Sequence, residues 1–161
     1  MRAIYAGSFA PPTLGHLDII RRAAGLFDEV VVAVLSQAEK RYAFSLEKRC
    51  EMLRRATGAI AHVRVVGDDG LLVDLARREG ADVIVRGIRG AADLELEMQL
   101  ATANRQIGGM ETVFVACQPE YAHLSSTIVR DCARHGAPIA GMVPPEIVND
   151  IYAACAQGAG R

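Results

Sequence analysis

The sequence predicts an α/β domain, with a doubly wound, parallel, five-stranded sheet and helices on both of its faces. Two observations predict it. Five short runs rich in β-branched residues recur along the 161-residue chain, separated by stretches whose apolar residues fall at three-to-four spacing. The runs are also nearly continuous in apolar residues, which suits strands buried on both faces rather than strands with one wet face. Strict strand-helix alternation requires crossover connections, and right-handed crossovers lay helices over both faces of a parallel sheet.

The first strand is expected from Arg2 to Ala6, followed by a helix on which Leu17, Ile20, Ala24 and Phe27 share a face. A second strand from Glu29 to Leu35 leads into a helix marked by Leu46, Cys50 and Leu53. The third strand, His62 to Val66, precedes Leu71, Leu72 and Leu75, and Gly80 stops that helix because glycine takes positive φ at low cost. The fourth, Asp82 to Val85, precedes Leu94, Met98 and Ala101, with Gly108 as the stop and Leu94, Leu96 and Met98 read as packing residues. Thr112 to Ala116 is the fifth strand, and Leu124 to Thr127 opens the helix after it. Pro144 and Pro145 open a last helix over 144–156, leaving 157–161 as a frayed tail. No repeat, low-complexity tract or linker interrupts the chain, so residues 1–161 are read as one domain.

Composition narrows the function classes. Lys and Arg number 18 against 19 Asp and Glu, a balance that excludes a general nucleic-acid binder, so any anion site is local. Cys50, Cys117, Cys132 and Cys155 form no C-x-x-C pair and no Cys/His cluster at metal-ligand spacing, which points to free thiols in a reducing compartment. The longest strongly apolar run, Val30 to Leu35, falls far short of the ~18 residues of a membrane helix. Pro11, Pro12, His16 and Asp18 follow the N-terminus too soon for a secretory signal. The expectation is a cytoplasmic protein with no membrane, no nucleic acid and no metal site of its own.

In an open parallel sheet, ligands bind outside the carboxyl ends of the strands, near the point where strand order reverses. The unusual residues of this chain fall there. Gly7, Ser8 and Phe9 follow the first strand, and Thr13-Leu14-Gly15-His16 opens the next helix. Lys40 and Arg41 follow the second strand, Arg86-Gly87-Ile88-Arg89 the fourth, and Leu124-Ser125-Ser126-Thr127 the fifth. Cations and helix N-termini on one rim suit a highly phosphorylated ligand. Each group also has a plainer role. His16 caps a helix or donates to phosphate; Arg86 and Arg89 hold an anion or pair with Asp93, Glu95 or Glu97. Lys40 is solvated or faces the ligand, and Ser125 and Ser126 cap a helix whether or not they also bind phosphate. No G-x-G-x-x-G and no G-x-x-x-x-G-K-[ST] occurs, which removes support for dinucleotide and P-loop chemistry.

These residues together resemble the nucleotidyltransferases with the H-x-G-H signature, and most closely the bacterial phosphopantetheine adenylyltransferases. The resemblance covers nearly the whole chain. It rests on Ala3-Ile4-Tyr5-Ala6-Gly7-Ser8-Phe9 with Thr13-Leu14-Gly15-His16, on Phe44-Ser45-Leu46-Glu47, on Val85-Arg86-Gly87-Ile88-Arg89, on Asp93 through Asn104-Arg105, and on Leu124-Ser125-Ser126-Thr127-Ile128-Val129-Arg130. It implies a Rossmann-like sheet and reversible transfer of the adenylyl group of ATP to 4′-phosphopantetheine, giving dephospho-coenzyme A and pyrophosphate in coenzyme A biosynthesis. It also implies Mg²⁺ delivered with ATP, a homohexamer, and feedback inhibition by coenzyme A.

Carried over by the resemblance, His16 stabilises the transition state at the α-phosphorus, with Lys40 and Arg89 also catalytic. Ser8 touches both substrates; Lys40, Leu72, Arg86 and Asn104 hold phosphopantetheine. Phe9, His16, Gly87, Arg89, Glu97, Tyr121, Leu124, Ser125, Ser126 and Thr127 take the ATP side. Two departures stand out: Ala10 replaces the acid of the usual G-[ST]-F-D-P, and Gly70 stands where a polar residue is expected. An acid in such a loop fixes the turn by bonding backbone N–H groups, so here the loop must be ordered otherwise. The acceptor phosphate is ionised at neutral pH, so the task is positioning and charge stabilisation rather than general-base catalysis. Competing readings are a nucleotidyltransferase acting on nicotinamide mononucleotide or, with CTP, on a phosphorylated alcohol; a silent sensor of coenzyme A or adenine nucleotide; and a purely structural α/β module.

Overall fold

Parallel pairing of the five apolar runs gives a sheet of strand order β3-β2-β1-β4-β5. The computed structural model describes residues 1–36 and 42–157. The elements are β1 (Arg2–Gly7), α1 (Leu14–Ala24), β2 (Glu29–Leu35), α2 (Leu46–Thr57), β3 (Val63–Asp68), α3 (Leu72–Arg78), β4 (Val83–Ile88), α4 (Ala91–Gly108), β5 (Thr112–Ala116), α5 (Ser126–Arg134) and α6 (Val148–Gln157). The chain winds outward from β1 to β3, then crosses back over β1 to β4, so the order reverses between β1 and β4.

The two-residue period of β1 sorts its side chains between two cores. Ala3 and Tyr5 join Val30, Val32 and Val85 under Ile19, Ile20 and Ala23 of α1 and Leu53 of α2. Ile4 and Ala6 join Val31, Ala33 and Ile84 against Val73, Leu75 and Ala76 of α3. Helices therefore cover both faces, as the alternation predicts. A third apolar cluster lies off the sheet, where Phe44 and Met52 meet Val129, Ile139, Ile147 and Ile151, and it takes in Ala10.

Several boundaries differ from expectation. β4 runs on through Arg86 and Gly87, while His62 precedes β3 with a φ of 61°. Leu71 caps α3 and is 60 % exposed rather than packed. Gly80 takes its left-handed turn as expected, but the turn after α4 is made by Gly109, φ 67°. Gly108 is instead where α4 presses on α3, a Cβ there falling 2.5 Å from Val73 Cβ. The last helix is split, with a single 3₁₀ turn over Pro145–Ile147 before α6.

The largest difference is α4, none of whose residues is buried. Leu94, Leu96, Met98, Leu100 and Ile107 are between 37 and 58 % exposed, so the packing read for Leu94, Leu96 and Met98 is corrected. Three-to-four spacing marks an apolar stripe without saying which surface covers it. No helix among the described residues is long and apolar enough to cross a membrane, and all four cysteines are free.

Candidate active site

A cleft of about 270 Å³ opens at the carboxyl edge of the sheet, at the reversal between β1 and β4. Gly7 and Ser8 border it from the end of β1, Arg86, Gly87 and Arg89 from β4, and Leu124, Ser125 and Ser126 from the start of α5. His16 and Thr13 enter from the start of α1, and Asp93 and Glu97 from α4. Gly87 lets α1 approach this closely, since a Cβ there would sit 2.8 Å from Ile19 Cγ1.

The helix start fixes His16. Thr13 is the N-cap of α1, and its hydroxyl accepts from the His16 amide at 3.3 Å. In return the Thr13 amide donates to His16 Nδ1 at 3.0 Å, so imidazole takes the place that Glu or Gln holds in a capping box. A backbone N–H can only donate, so Nδ1 is unprotonated and the neutral ring carries its proton on Nε2. Burial, reinforced by Arg89 and Arg86, lowers the His16 pKa to about 4. At neutral pH the ring is therefore an uncharged hydrogen-bond donor. Capping and lining the cleft are both realised.

Phe9 does not border the cleft. Its ring is buried, packing edge-on against Tyr5 at 5.5 Å and against His16 at 5.0 Å, so the side chain supports the imidazole. The backbone at Phe9 takes a φ of 45°, unusual for a bulky residue. α5 secures this turn in place of the missing acid: Arg130 donates to the Ala10 carbonyl and Ser126 Oγ to the Pro11 carbonyl at 2.7 Å. The Ala10 side chain lies within the third apolar cluster.

Both cleft arginines carry their own acid, which realises the pairing alternative. Arg86 meets Glu97 through Nε and Nη2, each at 2.6 Å. Arg89 meets Asp93 through Nε at 2.8 Å and Nη2 at 3.0 Å, and its Nη1 reaches the Leu124 carbonyl at 2.9 Å. The arginine beside it holds the Asp93 carboxyl below the usual range. Burial raises the Cys117 thiol at the cleft wall and keeps it protonated. With His16 neutral, two guanidiniums face two carboxylates.

A family model described as cytidylyltransferase-like matches residues 4–132. A phosphopantetheine adenylyltransferase of Symbiobacterium thermophilum is 55 % identical, over 90 % of this chain and 90 % of the relative. Those of Synechocystis sp. and Deinococcus radiodurans are 47 and 45 % identical, over 94 and 90 % of the chain and 96 and 88 % of the relatives. The chain belongs to the phosphopantetheine adenylyltransferase family. A putative nicotinate-nucleotide adenylyltransferase of Vibrio parahaemolyticus, 19 % identical, superposes with a TM-score of 0.64 over 93 % of this chain and 97 % of that one, which shows the shared Rossmann-like fold.

Of the residues that the family resemblance singles out, Ser8, His16, Arg86, Gly87, Arg89, Glu97, Leu124, Ser125 and Ser126 come together in one cleft. The other described residues of the set do not border it. Leu72 opens α3 and packs against the buried cluster of Ile4, Val73 and Ile84; Asn104 lies farther along α4; Tyr121 ends a 3₁₀ turn beside Gly15. Thr127 is exposed in the first turn of α5 and accepts from Arg130 at 3.4 Å. Lys40 lies outside the described residues. Gly70 forms a tight turn with its N–H on Asp68 Oδ1 at 2.7 Å. Sequence reasoning missed Thr13 as the residue that orients His16, although T-x-x-H before an apolar run has capping-box spacing. It missed Arg130 as the grip on Ala10, for which the sequence carries no signal.

Proposed function

We propose that this chain carries out its family's reaction, transferring the adenylyl group of ATP to 4′-phosphopantetheine with release of pyrophosphate. The observation that carries the reading is His16, a neutral ring with its acceptor nitrogen tied to Thr13 and its donor nitrogen left for the cleft between Arg86 and Arg89. The acceptor phosphate is already ionised, so nothing needs to remove a proton. His16 donates to an α-phosphoryl oxygen as charge accumulates there, without a positive ring that would bind the ground state equally well. Arg86 takes the phosphate of phosphopantetheine and Arg89 the ATP phosphates, each exchanging a carboxylate for a phosphoryl group. Ser8 lies between the substrates. Ser125, Ser126 and the start of α5 hold the polyphosphate, where amides and dipole favour anions. Lys40, Leu72 and Asn104 complete the phosphopantetheine side, and Tyr121 and Thr127 flank ATP.

Mg²⁺ arrives with ATP in this reading, which is supported by the lack of any cluster of three or more metal-ligating side chains among the described residues. The exposed apolar stripe of α4 supports assembly of several copies, which we propose form the homohexamer. Coenzyme A contains the atoms of the product, which supports feedback inhibition at the same cleft, and cytoplasmic location follows from the substrates.

Pyrophosphate release from ATP or CTP, with phosphopantetheine and nicotinamide mononucleotide as rival acceptors, tests the reading. ATP with phosphopantetheine should be the productive pair, and pyrophosphate with dephospho-coenzyme A should give ATP. Binding without turnover, or turnover only with another acceptor, overturns it.

A further inference from the structure

Arg49 of α2 is 1 % exposed, the largest side chain buried to that degree among the described residues. Its Nη1 donates to the carbonyls of Ser8 at 2.7 Å and Leu35 at 2.9 Å, its Nη2 to the Ser36 hydroxyl, and its Cζ lies 4.1 Å from the Tyr42 ring centre. Every one of these acceptors is neutral. Its Nε is buried with no hydrogen-bond partner among the described residues. Only Tyr42 and Cys50 act on its charge, against the desolvation that pulls its pKa down, and no carboxylate does so among the described residues.

Such a group is costly, because an interior cation ordinarily comes with an acid and an apolar side chain of similar volume is often as stable or more so. The arginines facing the cleft follow the ordinary rule, with Glu97 and Asp93 as partners. Arg49 has no such partner among the described residues, and its position is specific. Leu35 ends β2, and Ser8 directly follows β1 and borders the cleft. The guanidinium therefore bridges two neighbouring strand ends on the ligand edge. Among the described residues it bonds to dipoles and to no carboxylate, so its charge acts beside a cleft in which two guanidiniums already face two carboxylates.

We propose that Arg49 is a positioning residue for nucleotidyl transfer: its fork sets the Ser8 turn, and its charge, one residue behind the cleft wall, attracts the polyphosphate. The proposal rests on the adenylyltransferase reading above. A single ammonium cannot span three acceptors, so lysine separates the two contributions.

The test uses the full chain as Arg49→Met and Arg49→Lys, with kcat and both KM values, inorganic pyrophosphate affinity by calorimetry, and the thermal midpoint. Arg49→Met should lower kcat about 10- to 100-fold, somewhat less than loss of a direct donor, and weaken pyrophosphate binding about tenfold. Arg49→Lys should recover pyrophosphate binding but not kcat. A purely structural residue would lower the midpoint in both variants yet leave kcat per folded molecule and pyrophosphate affinity unchanged, which overturns the proposal. Should Arg49→Met fail to fold, wild-type kcat in Arg49→Lys overturns it alone. Wild-type protein that binds pyrophosphate yet makes none from ATP and phosphopantetheine refutes the adenylyltransferase reading, and the binding comparison still tests the charge of Arg49.

Discussion

Replacing His16 by glutamine separates its titration from its capping. Glutamine at the third helical position can still accept from the Thr13 amide, so the helix start survives while the titrating ring is lost. His16 titrates near 4 in the folded chain and near 6.5 when unfolded. Between those values the unfolded chain binds more protons, so the wild type is fully stable above the unfolded value and weakens as pH falls toward the folded one. The difference amounts to about 2 kcal/mol at pH 5 and about 3 kcal/mol below pH 4, a substantial part of a total of roughly 5–15 kcal/mol. Protonating Nδ1 would also break its bond from Thr13, which acts in the same direction. Urea unfolding of both proteins at pH 7 and pH 5 measures the difference. The carboxylates of Glu29, Asp68, Asp93 and Asp150 are held below their usual range, so at pH 5 they remain ionised in both proteins and cancel. Equal loss of stability in the two proteins between pH 7 and 5 would refute the assignment of a desolvated, neutral imidazole. His16→Gln should also lose kcat far more than ATP affinity.

Gly87→Ala places a methyl against Ile19, which should cost about 1–3 kcal/mol in denaturant unfolding and lower kcat by displacing the helix that carries His16. Glu97→Gln leaves Arg86 without its acid: calorimetry should show tighter binding of inorganic pyrophosphate, with a stability loss of about 1.5–3 kcal/mol. Weaker pyrophosphate binding would contradict the view that Glu97 neutralises Arg86 in the cleft. Ser126→Ala removes the hydroxyl from the Pro11 carbonyl and should lower stability by about 1 kcal/mol in the same unfolding assay, with a rise in KM for ATP.

Much of this was legible because the sheet-edge rule needs only strand order and strand ends. Ser8, His16, Arg86 and Ser125 are far apart in sequence, yet each follows or ends an apolar run, and parallel pairing brings all such ends to one rim. What escaped depends on direction in space. The Arg86–Glu97 pair forms because α4 runs back past β4, and neither residue alone tells whether its charge is spent inside the protein. Phe9 stands in the motif beside the phosphate turn, and only the fold shows that its left-handed backbone turns the ring under His16. Arg49 sits in a helix that also carries Lys48, Arg54 and Arg55, and only the fold shows that this one cation points inward. The stripe on α4 was read as packed because periodicity marks an apolar stripe without showing what surface, if any, meets it.

Thr13 and His16 also act as a check on the chain's own register. The ring that would meet the phosphorus is one of the two residues that begin α1, so its aim is set by where the helix starts winding. Beginning one residue early or late would swing it about 100° around the helix axis, away from the opening. A misthreaded copy would then be silent instead of carrying out the transfer carelessly.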